Sequence, residues 1–195
     1  IGLDSRMQTV NLQKTKKPKV TPDLNIHSVE HLAVQLGIST QNLIDLANNA
    51  PSFYREFNKK IKDKVRPLKE ATGLLKITQE KIFKRILARL PISPVVYGAI
   101  KGRSIKNNAE VHATAKYIAK LDIKQFYPSI RYNRVYGFFI EKECSPDVAR
   151  ILTKLTTKNY SLPQGTSTSP LLANQILKNL DRRIGAIAKN LGINY

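Results

Sequence analysis

Apolar residues recur at helical spacing through most of this chain. Ser28 can cap a helix that carries Val29, Leu32, Ala33 and Leu36, Gly37 can close it, and Ser39 can start a second helix with Leu43, Ile44 and Leu46. The pattern predicts further helices over 78–90, where Ile82, Phe83, Ile86, Leu87 and Leu90 make a stripe, and over 104–119, 133–141 and 145–157. Ser145 is the N-cap of the last, with Pro146 in its first turn. Beyond Pro170, Leu172, Ile176, Leu177, Leu180, Ile184 and Ile187 line one face of a long helix whose other face holds Lys178, Arg182, Arg183 and Lys189. Thr168 or Ser169 is its natural N-cap. Strands are few: 117–123, rich in apolar and aromatic side chains without Pro or Gly, then 61–68 and a stub at 193–195. An α+β chain follows.

Charge adds a partner class. Thirty-three Lys plus Arg against fourteen Asp plus Glu give +19, a balance that draws a chain to polyphosphate by counterion release without specifying a sequence. No run approaches the ~20 apolar residues of a spanning helix and no signal peptide is visible, so a membrane partner is not expected and the cytoplasm is the natural compartment. A single cysteine, Cys144, excludes an intrachain disulfide, and the absence of Cys/His clusters argues against structural zinc. At 195 residues and 42% hydrophobic, the chain can bury a core in one to two small domains. It opens on Ile1, so its natural start is expected to be missing. Residues 1–26 are polar, contain Lys14-Thr-Lys-Lys-Pro-Lys19, and read as a basic arm or solvated tail. No internal repeat is evident.

Two segments about forty residues apart carry the chemistry. In Lys120-Leu-Asp-Ile-Lys-Gln-Phe-Tyr-Pro-Ser-Ile130, a strand delivers the lone carboxylate of Asp122 between Leu121 and Ile123. A charge so placed must be solvated, paired or bound to metal. Phe126 and Tyr127 put an aromatic wall beside it, which suits a nucleotide sugar whose phosphates bridge Mg2+. The second segment, Leu162-Pro-Gln-Gly-Thr-Ser-Thr-Ser-Pro-Leu-Leu-Ala-Asn174, sets a permissive backbone at Gly165 beside the Gln164 amide and feeds the long helix. A glycine loop at a helix start can hold phosphate or nucleic-acid backbone. Solvent exposure of Asp122 and an ordinary Pro/Gly/Ser loop are the plain alternatives for each segment taken alone.

Together these segments resemble motifs A and B of reverse transcriptases, in order and in separation. Asn108-Ala-Glu-Val-His112 resembles the Asn-Ala-x-x-His signature of the bacterial retron type, and Val96-Tyr-Gly-Ala-Ile-Lys-Gly-Arg-Ser-Ile105 the segment before it. Val65-Arg-Pro-Leu-Lys69 followed by Leu75-Lys-Ile-Thr-Gln79 resembles the first fingers motif. The resemblance covers roughly residues 60–195. It implies a right-hand polymerase fold, with a helix-rich fingers region, an incomplete antiparallel palm sheet and no thumb. The implied layout is an arm at 1–26, an N-terminal helical region at 27–60, fingers at 61–116 and a partial palm at 117–195, with 131–160 helical on the fingers side.

By the same resemblance, Asp122 binds two catalytic Mg2+ ions with help from the Ile123 carbonyl. Tyr127 packs against the sugar and excludes a 2′-hydroxyl. Gln164 and Gly165 line the nucleotide and template pocket, and Arg66, with Lys62 or Lys64, grips the triphosphate. Lys101, Arg103, Asn108, His112 and Ser167 are candidate nucleic-acid contacts, although a His112 packed in a helix and hydrogen-bonded locally is favoured over direct chemistry. The implied activity is RNA-directed DNA synthesis from deoxynucleoside triphosphates on a structured non-coding RNA that serves as template and primer, through an RNA–DNA hybrid. An effector protein and a setting in anti-phage defence are implied with it.

One departure bounds that reading. The family needs a second acidic motif, a Tyr-x-Asp-Asp hairpin after a segment resembling Leu191-Gly-Ile-Asn-Tyr195, and the sequence stops there. Two-metal chemistry needs carboxylates clamping ions roughly 4 Å apart, so a fragment or one piece of a split enzyme, inert by itself, is expected. Two rivals remain. Leu32-Ala-Val-Gln-Leu-Gly-Ile-Ser39 resembles a helix-turn-helix, which would make the chain a DNA- or RNA-binding module without catalysis. A group II intron maturase is the nearest alternative within the family, and Asn108 with His112 argues against it.

Overall fold

The computed structural model describes residues 23–61 and 64–195. Its elements follow local capping chemistry closely at the N-terminal end. Helix α1 (Val29–Leu36) begins where the Ser28 hydroxyl accepts from the His31 amide at 3.1 Å. Gly37, at φ +59°, ends it by turning its own amide back to the Ala33 and Val34 carbonyls. Helix α2 (Thr40–Asn49) is capped likewise by Ser39, whose hydroxyl accepts from Asn42 at 3.3 Å. The expected pair of helices around Gly37 is therefore present. Both bury their apolar stripes in the common core, Leu32 and Leu36 from α1 and Leu43 and Leu46 from α2.

A hairpin follows, formed by β1 (Tyr54–Ile61) and β2 (Lys64–Ala71), antiparallel from Tyr54↔Ala71 to Ile61↔Lys64. The strand expected over 61–68 is thus shifted towards 64–71, and its partner β1 had no signal. Arg55-Glu-Phe-Asn-Lys-Lys60 shows no alternation of apolar and polar positions, because most of the hairpin is exposed. Pro67 is tolerated because a two-stranded hairpin has only edge strands. Helix α3 (Gly73–Arg85) starts five residues before the expected 78, and Leu87–Arg89 form a separate 3-10 turn. From α3, Lys81 and Arg85 donate to the Gly37 and Gln35 carbonyls at 3.2 and 2.9 Å, placing two cations at the negative end of α1.

Helices α6 (Tyr132–Glu141) and α7 (Pro146–Thr156) form the centre, α7 also meeting α1, α2 and α3. Phe139, Leu75, Ile82, Leu152 and Leu155 are fully buried there. Several polar groups in this core are paired. Thr153 and Thr156 donate their hydroxyls to the Ala149 and Leu152 carbonyls, and buried Gln79 donates to the Tyr54 hydroxyl at 3.0 Å and the Leu155 carbonyl at 2.8 Å. That amide ties α3, β1 and α7 together, and burial raises the Tyr54 hydroxyl pKa above its ordinary value. Residues 23–26, assigned to the basic arm, are strapped to the turn between α6 and α7. Leu24 donates to the Lys142 carbonyl, Ser145 donates to the Ile26 carbonyl, and Ile26 is fully buried. Residues 1–22, including the lysine cluster, lie outside the described residues.

Three expected elements differ. Residues 117–123 form no strand: Tyr117 and Leu121 are 93% and 95% exposed, and none of the described residues pairs with the segment. Strand propensity alone cannot hold an extended segment without a ladder partner. The helix expected over 104–119 shrinks to α4 (Ile105–Glu110), capped by Ser104 and Asn107 but burying no residue. A short helix without a packed face does not propagate. The stub at 193–195 is not a strand either. Gly192 turns at φ +68°, and Tyr195 donates its hydroxyl to Asp181 at 2.9 Å, folding back on α8 (Ser169–Asn190). Residues 117–195, expected to form an incomplete antiparallel palm sheet, therefore contain no sheet, and the one sheet among the described residues is the β1–β2 hairpin.

Candidate active site

The two segments singled out in the sequence are joined by backbone. Leu162 donates to the Ile130 carbonyl at 3.0 Å, and Arg131 bridges Ser161 in antiparallel fashion. Gln125, at φ +51°, precedes the short helix α5 (Phe126–Ser129), which turns the chain so that Phe126 and Tyr127 stand side by side, ring centroids 5.1 Å apart. Tyr127 is half-buried, and desolvation pushes its hydroxyl pKa up.

The glycine loop rests on the hairpin. Lys69 of β2 donates its amide to the Gln164 carbonyl at 2.8 Å, and Gly165 follows at φ +115°. A Cβ there would meet the Lys69 carbonyl oxygen at 3.4 Å and Leu68 at 3.6 Å. Glycine is required by the backbone conformation, whereas these distances are ordinary contacts. Past it, Thr166 and Ser169 share a buried hydroxyl hydrogen bond of 2.7 Å. Thr168 occupies the N-cap position of α8 but makes no cap bond, and its Oγ1 is buried without a partner.

A cleft of about 660 Å3 opens where these pieces meet, lined by Arg66 from β2, Asp122, Ile123 and Tyr127 from the 120–130 segment, and Gln164 from the glycine loop. Asp122 is exposed and is, among the described residues, the only carboxylate lining the cleft. Among the described residues, no cluster of three or more His, Cys, Asp or Glu side chains could hold a metal ion. The donors present, one carboxylate and a main-chain carbonyl, are hard oxygens of the kind Mg2+ takes together with substrate phosphates. Gly165 backs the cleft rather than lining it. A second cleft of about 500 Å3 between α6 and α8 is lined by Arg134, Glu141, Gln175 and Arg183, and holds none of the residues singled out.

The remaining expected site residues lie elsewhere. Lys62 is outside the described residues, and Lys64 opens β2 opposite Ile61. The Arg103 guanidinium donates to the Ser93 carbonyl at 2.8 Å and to those of Pro94 and Val96, and lies over the Tyr97 ring. It organises the 93–103 loop. Lys101 and Asn108 are exposed, Ser167 is exposed in the glycine loop, and His112 is half-buried with its amide bonded to Ala109. Three residues near the cleft escaped the sequence reading. Lys124 and Gln125 line it; a cation two positions from the lone carboxylate was a visible signal for the first. Lys59 sits directly opposite Arg66 in the hairpin, which only the register reveals.

No helix among the described residues is long and apolar enough to cross a membrane. The family described as "Reverse transcriptase (RNA-dependent DNA polymerase)" matches residues 57–194. Among curated proteins, the chain is 34% identical over 149 residues to the Retron Mx65 reverse transcriptase of Myxococcus xanthus, covering 67% of this chain and 35% of that protein. It is 33% identical over 172 residues to the Retron Ec86 reverse transcriptase of Escherichia coli, covering 88% and 53%. With the Retron Se72 reverse transcriptase of Salmonella heidelberg the figures are 32% over 177 residues, 87% and 46%. The chain thus spans about a third to a half of the length of these relatives. With a family match across the hairpin, the cleft and α8, and relatives that are retron enzymes, the chain belongs to the reverse transcriptase family, on its retron branch.

Proposed function

We propose that the cleft receives a deoxynucleoside triphosphate over Mg2+ and a templating base, and that the whole protein copies RNA into DNA. The observation that carries this is the convergence of Arg66, Asp122, Tyr127 and Gln164, drawn from three separate stretches of sequence, on one cleft. In this reading Asp122 and the Ile123 carbonyl hold the metal, which when bound neutralises the phosphates and polarises the attacked phosphorus. The Tyr127 ring packs on the sugar where a 2′-hydroxyl would clash. Gln164 is carried by a backbone pinned to β2, so its amide meets the base or sugar from a fixed position. Arg66 takes the triphosphate, and Lys59 joins it: two cations directly opposite on a hairpin repel each other unless an anion lies between them.

A single carboxylate is half of a two-metal clamp, so these 195 residues alone are expected to be inert and the second acidic motif to be supplied elsewhere. The proposed partner is a structured non-coding RNA serving as template and primer, in the cytoplasm, with an associated effector and a role in anti-phage defence as further parts of the reading. Lys101, Asn108, His112 and Ser167 are proposed nucleic-acid contacts. Primer extension on an RNA template by the full-length protein tests the core of it. Extension with deoxynucleotides that Asp122→Asn abolishes, and acceptance of ribonucleotides after Tyr127→Ala, are expected. Unchanged extension by Asp122→Asn would refute the assignment.

A further inference from the structure

Outside the cleft, the exposed non-glycine residues at positive φ include Ala99, Glu143, Asn159 and Tyr160, and Tyr160 carries the largest side chain of these four. Lys158 and Ser161 exchange backbone hydrogen bonds of 2.9 and 3.2 Å, closing a two-residue hairpin turn whose central residues, Asn159 and Tyr160, lie at φ +52° and +57°. Such primed turns favour Asn at the first position and Gly at the second. Asn159 conforms. Tyr160 carries a bulky ring in the left-handed region, at a cost no buried contact offsets, since it is 78% exposed.

The turn is rigid. Tyr132 donates its amide to the Tyr160 carbonyl at 2.9 Å, and the Lys158 ammonium donates to the Pro51 carbonyl at 2.6 Å while lying over the Tyr54 ring. The Tyr132 ring meets that of Tyr160 edge-on, centroids 6.4 Å apart at 64°, which leaves Tyr160 open to a planar group. Two arginines lie close to Tyr132. Arg131 precedes Tyr132 and is exposed, and the positive charge of Arg150, itself paired with Asp147 at 2.8 Å, acts on the Tyr132 hydroxyl. Gln164 lies four positions after Tyr160, a reach of at most ~14 Å.

We propose that the Asn159–Tyr160 turn is a stacking platform for an unpaired base of the RNA strand that enters the cleft, with Arg131 and Arg150 attracting its backbone. A rigid aromatic among cations is what unpaired nucleic acid recognises irrespective of sequence. The identity of the strand rests on the template reading above; the stacking itself does not.

The test is binding of a 12-nucleotide single-stranded RNA to the full chain, followed by fluorescence anisotropy without nucleotides, so that it does not depend on extension. Tyr160→Ala is expected to weaken binding about tenfold at an unchanged salt slope, and Tyr160→Phe to retain it. Tyr160→Gly should show the same loss with an equal or higher Tm, which separates lost stacking from lost folding. Binding by Tyr160→Ala within twofold of wild type would overturn the platform and leave the ring for a protein contact. Equal losses on duplex RNA would overturn it as well, because a paired base offers no free face. Either failure leaves primer extension, and hence the polymerase reading, standing.

Discussion

The α7-centred core and the segment carrying Asp122 obey different rules. In the core, the helices are specified more than once, α1, α2 and α7 by a serine cap and all of them by an apolar stripe and neighbours that bury it, so that Leu32, Leu43, Leu75, Phe139 and Leu152 are all inaccessible to solvent. Between 117 and 123 the residues favour a strand, yet Tyr117, Ile118, Leu121 and Ile123 are exposed and no ladder forms among the described residues. The first region holds its own shape, and the second takes its shape from what packs on it. That contrast suits the proposed function, in which a firm scaffold carries site residues on exposed segments.

Substitutions of similar size should separate the two regions most sharply. Phe139→Ala is expected to cost about 3–5 kcal/mol of unfolding free energy, whereas Leu121→Ala should stay within about 0.5 kcal/mol, both read from denaturant titrations. Comparable losses would show that 117–123 is packed in solution. Function should invert that order. In the full-length protein Asp122→Asn is expected to reduce primer extension roughly a thousandfold, the scale of losing a metal ligand, with no change in Tm because the carboxylate is exposed.

Where the two regions join, Gly165→Ala forces a side chain into φ +115°, a conformation that L residues disfavour. About 1–3 kcal/mol of destabilisation is expected, together with a raised KM for deoxynucleotide as Gln164 shifts. Within the scaffold, Ser145→Ala removes the cap of α7, whose hydroxyl accepts from Val148, and should cost about 1 kcal/mol. The smallest effect belongs to the surface. Hydrogen bonds from Arg55 and Lys76, with the Lys76 charge, hold the Glu70 carboxyl below its ordinary pKa. A carboxylate depressed in the folded state contributes stability above its unfolded pKa and loses it as pH falls through the folded value. Glu70→Gln should therefore flatten the acid side of the stability profile slightly and leave neutral pH almost unchanged.

Local chemistry made much of this legible from sequence. Ser28, Ser39 and Ser145 named their helices because a hydroxyl before an apolar stripe satisfies orphan amides whatever the tertiary context. The one-cleft grouping of Asp122, Tyr127 and Gln164 was foreshadowed by motif order and separation. Lys59 and β1 were not legible, since a solvated hairpin has no apolar alternation, and neither was the anchoring of Ile26. The sequence by itself determined the starts of α1, α2 and α7, the glycine at 165 and the residue types gathered at the cleft, because these depend on hydrogen bonds and sterics within a few residues. Tertiary structure alone decided that α4 stops at Glu110, that 117–123 has no ladder, and that the glycine loop rides on β2. Helix propagation, strand pairing and loop docking all need partners far away in the chain, and burial against those partners supplies the free energy that local preference lacks.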